Sequence, residues 1–591
     1  MYTNIQGIQI LISLLKQNNI KHIVISPGTR NTPLSHSVEI DDFFECYSIV
    51  DERSAAFFAL ELSEKLDKPV CVTCTAATAT CNYMPAIKEA YERNIQLVAL
   101  TADQDDYSKF HMGDQNINQT NMFDRYVKYA VDVPKIRNED DYWFFNRSVN
   151  EALNEINHHS KGPIQINFRM DYTLDELSYF PIKEIPKTRK INNYRDDINW
   201  DNLASKINDK KILIFCGSDY YKDETLKEQL QEFKKKTNCV ILGDYYSNLI
   251  GNDFINPSII AETYRGKNLE KLKPQLIILL GSVIYTPIKS NRELFSRNVE
   301  TWEISSDGRL NDGFRNVSSI FECDTYEFFK NINTFIKAQS KENSFEEAWR
   351  NTISNIKLPN LDFTHMNAIK KFLEIIPDNS LLHMSVLDAI RISNYFKVPE
   401  NVKCFANIGA DGIDGALSTF LGQASKYNGL SFLLIGDLSL LYDLNGLYTN
   451  IPNNIRILVI NNYAGAEFHK NFGLKRINTI NRHIAAGHKT KMENVSKINK
   501  FQYLNAENDQ ELDKALDTFI KNSSNPILLE VITDANTDAN KLKEFWKINE
   551  NSNATIKHNV KKIIKRILPK KAIKIIKNVI KRWVYGIKTL Y

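Results

Sequence analysis

Residues 431–468 read SFLLIGDLSLLYDLNGLYTNIPNNIRILVINNYAGAEF, and this stretch restricts the fold more than any other. SFLLIG and IRILVI are apolar runs of strand length without polar alternation, the pattern of strands buried on both faces. LLYDLNGLYTN between them reads as helical. Two strands joined through a helix make a right-handed crossover, so they run parallel and their C-terminal ends reach one edge of a sheet. Asp437 and Asn462 stand just past those two ends. A carboxylate and an amide carbonyl are hard oxygen donors that suit Mg²⁺. The helix N-terminus beside them offers free N–H groups to a diphosphate. Gly-Asp alone is also an ordinary helix start, and Asn-Asn an ordinary turn. The complete strand–helix–strand between them favours the metal reading.

The same alternation runs through most of the chain. KHIVIS, FFECYSIV, PVCVTC and IQLVALT form one block, KILIFCGS, CVILGD, QLIILLGS and ETWEISS a second, and SLLHMS, KCFANIG, SFLLIGD, IRILVINN and NPILLEVIT a third. Strands separated by helices argue for an α/β fold of three doubly wound parallel-sheet domains. The expected limits are 1–185, 195–345 and 360–545, with the polar stretch KTRKINNYRDDINWD as a linker. Apolar residues at 43% and charged residues at 25% suit such a protein. There is no run of 18 apolar residues, which excludes a transmembrane helix. The start lacks a basic region and a small-residue cleavage site, so no secretory signal is expected and the cytoplasm is the expected location. Cys71 and Cys74 form one C-x-x-C without a second pair, in an apolar β-branched run. They read as buried strand residues, not a zinc site.

Charge is uneven. Residues 557–591 carry 12 Lys and Arg and no acid, while the whole chain has 75 basic and 71 acidic residues. The body is therefore net acidic and the tail cationic. Within 551–591, Ile573, Ile576, Ile580, Trp583 and Ile587 recur at helical spacing, with Lys574, Lys577, Lys581 and Lys588 on the other side. This basic amphipathic helical tail has the pattern of a peptide lying on an anionic membrane, here at the inner face. Docking on the acidic body is the alternative. No basic-aromatic module elsewhere supports a nucleic-acid partner.

Gly-Asp, 20-odd residues, then Asn-Asn resembles the diphosphate-and-metal motif of thiamine diphosphate (ThDP) enzymes. The form GDLS-x-LYDLN, with SPGTRNTPL at 26–34, DER at 51–53, TAD at 101–103, GIDGALST at 412–419 and NPILLEV, is similar to the 2-succinyl-5-enolpyruvyl-6-hydroxy-3-cyclohexene-1-carboxylate synthase family of menaquinone synthesis. The resemblance runs from about residue 5 to 540. It implies ThDP and Mg²⁺ as cofactors and a pyrimidine-binding, a central and a diphosphate-binding domain in that order. Asp437, Asn462 and the backbone carbonyl of Ala464 become the metal ligands. Gly436, Leu438, Ser439, Gly412 and Ile413 join Asp437 and Asn462 in holding the cofactor. Glu52 becomes the acid beside the aminopyrimidine, although Asp51-Glu52 is by itself a good helix N-terminus. The implied chemistry is decarboxylation of a 2-oxoacid and transfer of the resulting acyl carbanion to an acceptor. The resemblance also implies a homodimer or homotetramer whose site combines Glu52 of one subunit with the metal loop of another.

Among expected substrate contacts, Arg30, Gln115 and Ser385 keep the family's residue. Three others do not: Gln104, Ile408 and Ala389 stand where the family has Arg, and Arg391 lies two positions beyond Ala389. Glu467, in YAGAEFHK, falls where that family tends to be apolar. It reads as an acid for the reaction, a partner for a hydroxylated acceptor, or a solvent-facing loop residue. A guanidinium fork is the best receptor for a carboxylate, so the pattern predicts a carboligase on this scaffold with altered substrates. The alternatives are the family's own reaction of 2-oxoglutarate with isochorismate, and a non-catalytic ThDP-fold binding protein.

Overall fold

The computed structural model describes residues 1–105, 107, 111–170, 182–217, 224–263, 269–281, 295, 299–337, 344–470, 477 and 479–549; the cationic tail lies outside them. Nineteen strands follow in chain order among these described residues. The first six are β1 (His22–Ile25), β2 (Glu45–Ser48), β3 (Val70–Cys74), β4 (Leu97–Asp103), β5 (Tyr129–Val133) and β6 (Ile164–Arg169). Then come β7 (Asn192–Tyr194), β8 (Ile212–Cys216), β9 (Cys239–Gly243), β10 (Phe254–Ile255), β11 (Leu276–Leu280), β12 (Glu300–Ser305) and β13 (Val317–Glu322). The last six are β14 (Leu381–Met384), β15 (Lys403–Phe405), β16 (Ser431–Gly436), β17 (Ile455–Asn461), β18 (Gln502–Ala506) and β19 (Ile527–Ile532). All pairings with a defined register are parallel.

The chain divides into two compact units. The first comprises Met1–Ile198 and Glu300–Cys323. It holds a six-stranded sheet in the order β2-β1-β3-β4-β6-β5 and the run β12-β13-β7. Strand β7 lies inside the polar stretch read as a linker; it pairs through Ser319↔Asn192. A three-residue strand rich in Asn carries no apolar signal, which is why the sequence concealed it. The second unit comprises Asn199–Val299 and the described residues from Asp324 onward. It holds the run β10-β9-β8-β11 and a six-stranded sheet in the order β15-β14-β16-β17-β19-β18.

Each six-stranded sheet is buried on both faces because successive residues point to opposite sides. On the last sheet, Phe432, Leu434, Leu458 and Ile460 enter one core, and Leu433, Ile435, Ile457 and Val459 the other. On the first sheet, Ile23, Cys71 and Val98 enter one core, and Val24, Val72 and Ala99 the other. All eight cysteines are free thiols, with Cys71 and Cys74 buried in β3. No helix among the described residues is long and apolar enough to cross a membrane.

Candidate active site

In the last sheet, β16 and β17 pair with Gly436 opposite Ile460. Parallel register therefore sets Asp437 and Asn461–Asn462 side by side beyond the strand ends. Ser385, one residue past β14, joins them at the same sheet edge, because β14 also pairs with β16. A cavity of about 270 Å³ opens there. Its lining includes Ser385, Ile413, Gly436, Asp437, Leu438, Ser439, Asn462, Ala464 and Glu467. Nine residues singled out from separate stretches of sequence thus meet around one space. Gly412 is not part of the lining, although its neighbour Ile413 is. Leu387 on the wall has φ +67°, a conformation that costs a β-carbon-bearing residue energy and recurs at binding sites.

The two asparagines divide their work. Asn461 is fully buried; its amide donates to Glu530 Oε1 at 2.5 Å and to the Thr490 carbonyl at 2.9 Å, and its Oδ1 accepts from Tyr463 N–H. It fixes the turn. Asn462 donates from Nδ2 to Asp538 Oδ2 at 3.2 Å. A carboxylate only accepts, so Asp538 settles which way the amide points and leaves Oδ1, which accepts from Ala464 N–H at 3.4 Å, as the oxygen able to bind a metal. Asp538 is fully buried and also accepts from Thr533 and from the His365 backbone.

Asp437 is 4% exposed. Its Oδ1 accepts from Leu438 N–H at 2.7 Å, and its Oδ2 lies 3.2 Å from His488 Nε2. Thr490 N–H donates to His488 Nδ1 at 3.1 Å, which makes Nδ1 the acceptor and places the ring proton on Nε2, toward Asp437. Such outer partners orient metal ligands and raise their affinity. The Ala464 carbonyl accepts no hydrogen bond among the described residues. One carboxylate, one oriented amide oxygen and one unused carbonyl form an all-oxygen donor set that fits Mg²⁺. Ser439 Oγ donates to the Ile413 carbonyl at 2.7 Å, which ties the GIDGALST loop to the metal loop. An adjoining cavity of about 420 Å³ shares Asn462 and Ala464 and adds Arg482, His488 and Lys489.

Beside the metal loop stands a ring of four charges. Arg391 Nη1 donates to Asp388 Oδ1 at 2.8 Å and to Glu467 Oε2 at 2.5 Å. Lys470 Nζ donates to the same Asp388 oxygen at 2.6 Å and to the same Glu467 oxygen. Burial alone would raise the Asp388 pKa, but Lys470, Arg391 and His365 hold it well below the usual carboxylate range. His365, 1% exposed, sits 3.1 Å from Asp538 and 3.8 Å from Asp388. Burial opposes its charge, yet the two carboxylates prevail and raise its pKa above the ordinary imidazole value. His488, Asp538, Asp388 and His365 have no local motif. Only their distances to Asp437, to Asn462 and to one another reveal them.

In the first unit, the C-terminal ends of β1, β2, β3 and β4 lie at one edge through the pairs Ile25↔Ser48, Ile25↔Thr73 and Cys74↔Thr101. SPGTRN leaves β1, and Glu52 follows β2. Gly28 is required there: a β-carbon would come within 2.4 Å of Thr75 Cβ. The helix Glu52–Leu66 is capped by Asp51, which accepts from Ser54 N–H at 2.7 Å. Asp51 therefore does the capping, and Glu52 is half-buried without a hydrogen bond among the described residues. Burial pushes the Cys74 thiol up to about 12, with the nearby Glu52 carboxylate adding to the shift. Arg30 donates to the Met170 carbonyl at 3.3 Å, and its buried Nε has no partner among the described residues. Gln104 is not an exposed substitute for Arg: it is 8% exposed, and its amide donates to the carbonyls of Asp114 and Gln115. Gln115 itself is exposed with φ +52°.

Residues 5–122 match the family described as thiamine pyrophosphate enzyme, N-terminal TPP binding domain. The chain is 32% identical over 565 residues to 2-succinyl-5-enolpyruvyl-6-hydroxy-3-cyclohexene-1-carboxylate synthase of Bacteroides fragilis, covering 92% of this chain and 99% of that protein. The enzyme of the same name from Bacteroides thetaiotaomicron is 31% identical over 563 residues, with 92% and 99% covered. Among solved structures, the crystal structure of benzoylformate decarboxylase from Polynucleobacter necessarius aligns at 16% identity and a TM-score of 0.43, covering 90% of this chain and 99% of that one. The chain belongs to the family of thiamine diphosphate-dependent enzymes that contains these 2-succinyl-5-enolpyruvyl-6-hydroxy-3-cyclohexene-1-carboxylate synthases.

Proposed function

We propose that this enzyme decarboxylates a 2-oxoacid and transfers the acyl group to an acceptor, with substrates other than those the family resemblance implies. The observation that carries the catalytic reading is the single cavity in which Asp437, Asn462 and Ala464 converge with Gly436, Leu438 and Ser439. Asp437, Asn462 and the Ala464 carbonyl would hold a divalent metal, with Gly436, Leu438 and Ser439 beside it for a diphosphate. When bound, thiamine diphosphate supplies the electron sink for loss of carbon dioxide. Glu52 would hold a proton for the aminopyrimidine ring, a role that calls for a carboxyl group sheltered from water. Arg30, free of any acid partner among the described residues, receives a substrate carboxylate.

The substrate reading rests on what replaced the expected arginines. Ala389 and Ile408 are 7% and 6% exposed and pack in the apolar core, and Ala389 also lines the cavity, so apolar surface stands at these two positions instead of a guanidinium. Arg391 is already neutralised by two acids. Each charge-assisted pair lost to a substrate costs about 1.5–3 kcal/mol. The reaction that the family resemblance implies, 2-oxoglutarate with isochorismate, is the second reading because 92% of the chain aligns with these synthases. The ThDP- and Mg²⁺-loaded protein is expected to release carbon dioxide from at least one of pyruvate, 2-oxobutyrate and 2-oxoglutarate. Release from none assigns a binding protein, and brisk product from 2-oxoglutarate plus isochorismate assigns the relatives' reaction.

We infer a homodimer as the smallest active form. Val50, Phe57 and Phe58 around Glu52 are 75%, 38% and 43% exposed, an apolar surface that a second copy would cover. The free thiols suit the reducing cytoplasm. The segment 557–591 is proposed to rest on anionic membrane, through its lysines and the Ile/Trp face. Vesicles containing phosphatidylglycerol are expected to float the full chain and not a chain ending at residue 550. Equal flotation of both removes the membrane proposal.

A further inference from the structure

The four-charge ring beside the cavity has a consequence for substrate class. Asp388 and Glu467 supply two negative charges, Arg391 and Lys470 two positive ones, so the group is self-compensated. All four are held close: Lys470 is 5% exposed, Asp388 19%, Arg391 22% and Glu467 34%. Both cations donate to a single oxygen of Glu467, Oε2. The other oxygen, Oε1, takes no hydrogen bond among the described residues, and Glu467 lines the cavity. An unused carboxylate oxygen is an acceptor only; it receives an O–H and repels a second carboxylate.

We propose that Glu467 determines acceptor specificity and selects a neutral hydroxylated aldehyde or ketone. A ligand hydroxyl donates to Glu467 Oε1. A ligand carboxylate is refused twice: Glu467 repels it, and Arg391 and Lys470 are already engaged. This rests on the carboligase reading above, but equilibrium binding tests it without turnover. Charge-assisted donors left without Glu467 become receptors, so one substitution is expected to reverse the preference.

The experiment uses the full chain loaded with ThDP and Mg²⁺, and follows binding of glutarate and of erythritol by calorimetry. Glu467→Gln keeps the side-chain shape and leaves the ring with one surplus positive charge. It is expected to bind glutarate at least 10-fold more tightly than the parent and erythritol several-fold more weakly. Arg391→Gln leaves a surplus negative charge and is expected to shift glutarate affinity the opposite way. Unchanged glutarate affinity in Glu467→Gln, or the same direction of change in both variants, overturns the proposal. A ring that serves stability alone shifts unfolding temperature in both variants without this opposition. Carbon dioxide release, measured separately, reports on the carboligase reading itself.

Discussion

Replacing Asp437 with Ala is expected to weaken Mg²⁺-dependent uptake of ThDP by about 100-fold or more, because loss of an outer partner alone costs 10–100-fold in metal affinity. Carbon dioxide release should fall below detection in the same variant. The size of the effect follows from the donor set. Asp437 is the only charged member; Asn462 and Ala464 contribute neutral oxygens. A hard divalent cation with two neutral protein donors and waters keeps little advantage over bulk water. The variant is expected to fold, since Asp437 sits beyond β16 and its partners are the adjacent Leu438 N–H and the His488 ring. Calorimetric titration of ThDP with and without Mg²⁺ measures the outcome. Full Mg²⁺-dependent uptake in the variant would show that the oxygen trio does not hold the metal.

What the sequence revealed and what it hid follow one physical rule. Parallel β-sheet places consecutive strand ends together, so residues immediately after apolar strands can be assigned to a common edge. Asp437 and Asn462 could be set at one edge for that reason, and β16 and β17 pair in that register; Ser385, picked out only by the family resemblance, lies at the same edge through β14. Side-chain partnership obeys no such local rule. Arg391 reads in sequence as a replacement cation two positions from its expected place, but its guanidinium is spent on Asp388 and Glu467. Lys470 reads as a neighbour of the same loop and proves to be the most buried cation of the ring. His488 comes from a segment without apolar period or motif, yet it carries the proton facing Asp437. Strands β5, β6, β10, β13 and β18 also escaped the reading; β5 and β18 are only partly buried, β10 has two residues, and β6 and β13 are mostly buried but interrupted by Gln165 and Asn167 or by Ser318 and Ser319, so none carries a long apolar run.

Glu52→Gln is expected to lower the rate of carbon dioxide release by about 10²–10⁴-fold, the range for loss of a positioned proton carrier. Gln matches Glu in size and keeps a hydrogen-bonding tip, but it cannot share a proton with the aminopyrimidine ring. ThDP uptake should survive, since the metal loop is untouched; this separates the variant from Asp437→Ala. Nor should the helix suffer, because Asp51, not Glu52, accepts from Ser54 N–H. The pair of variants also tests whether the site is shared between subunits. If Glu52 of one chain serves the metal loop of its partner, a mixed dimer of Glu52→Gln and Asp437→Ala chains contains one intact site and one site with both lesions. Unfolding and refolding an equal mixture, with half the dimers mixed, is expected to restore about 25% of parental activity. If each chain supplies both residues to its own site, no mixed dimer is active and the recovered rate stays at the level of the separate variants. Recovery thus requires both that Glu52 and Asp437 act in one reaction centre and that the centre lies between two copies of the chain.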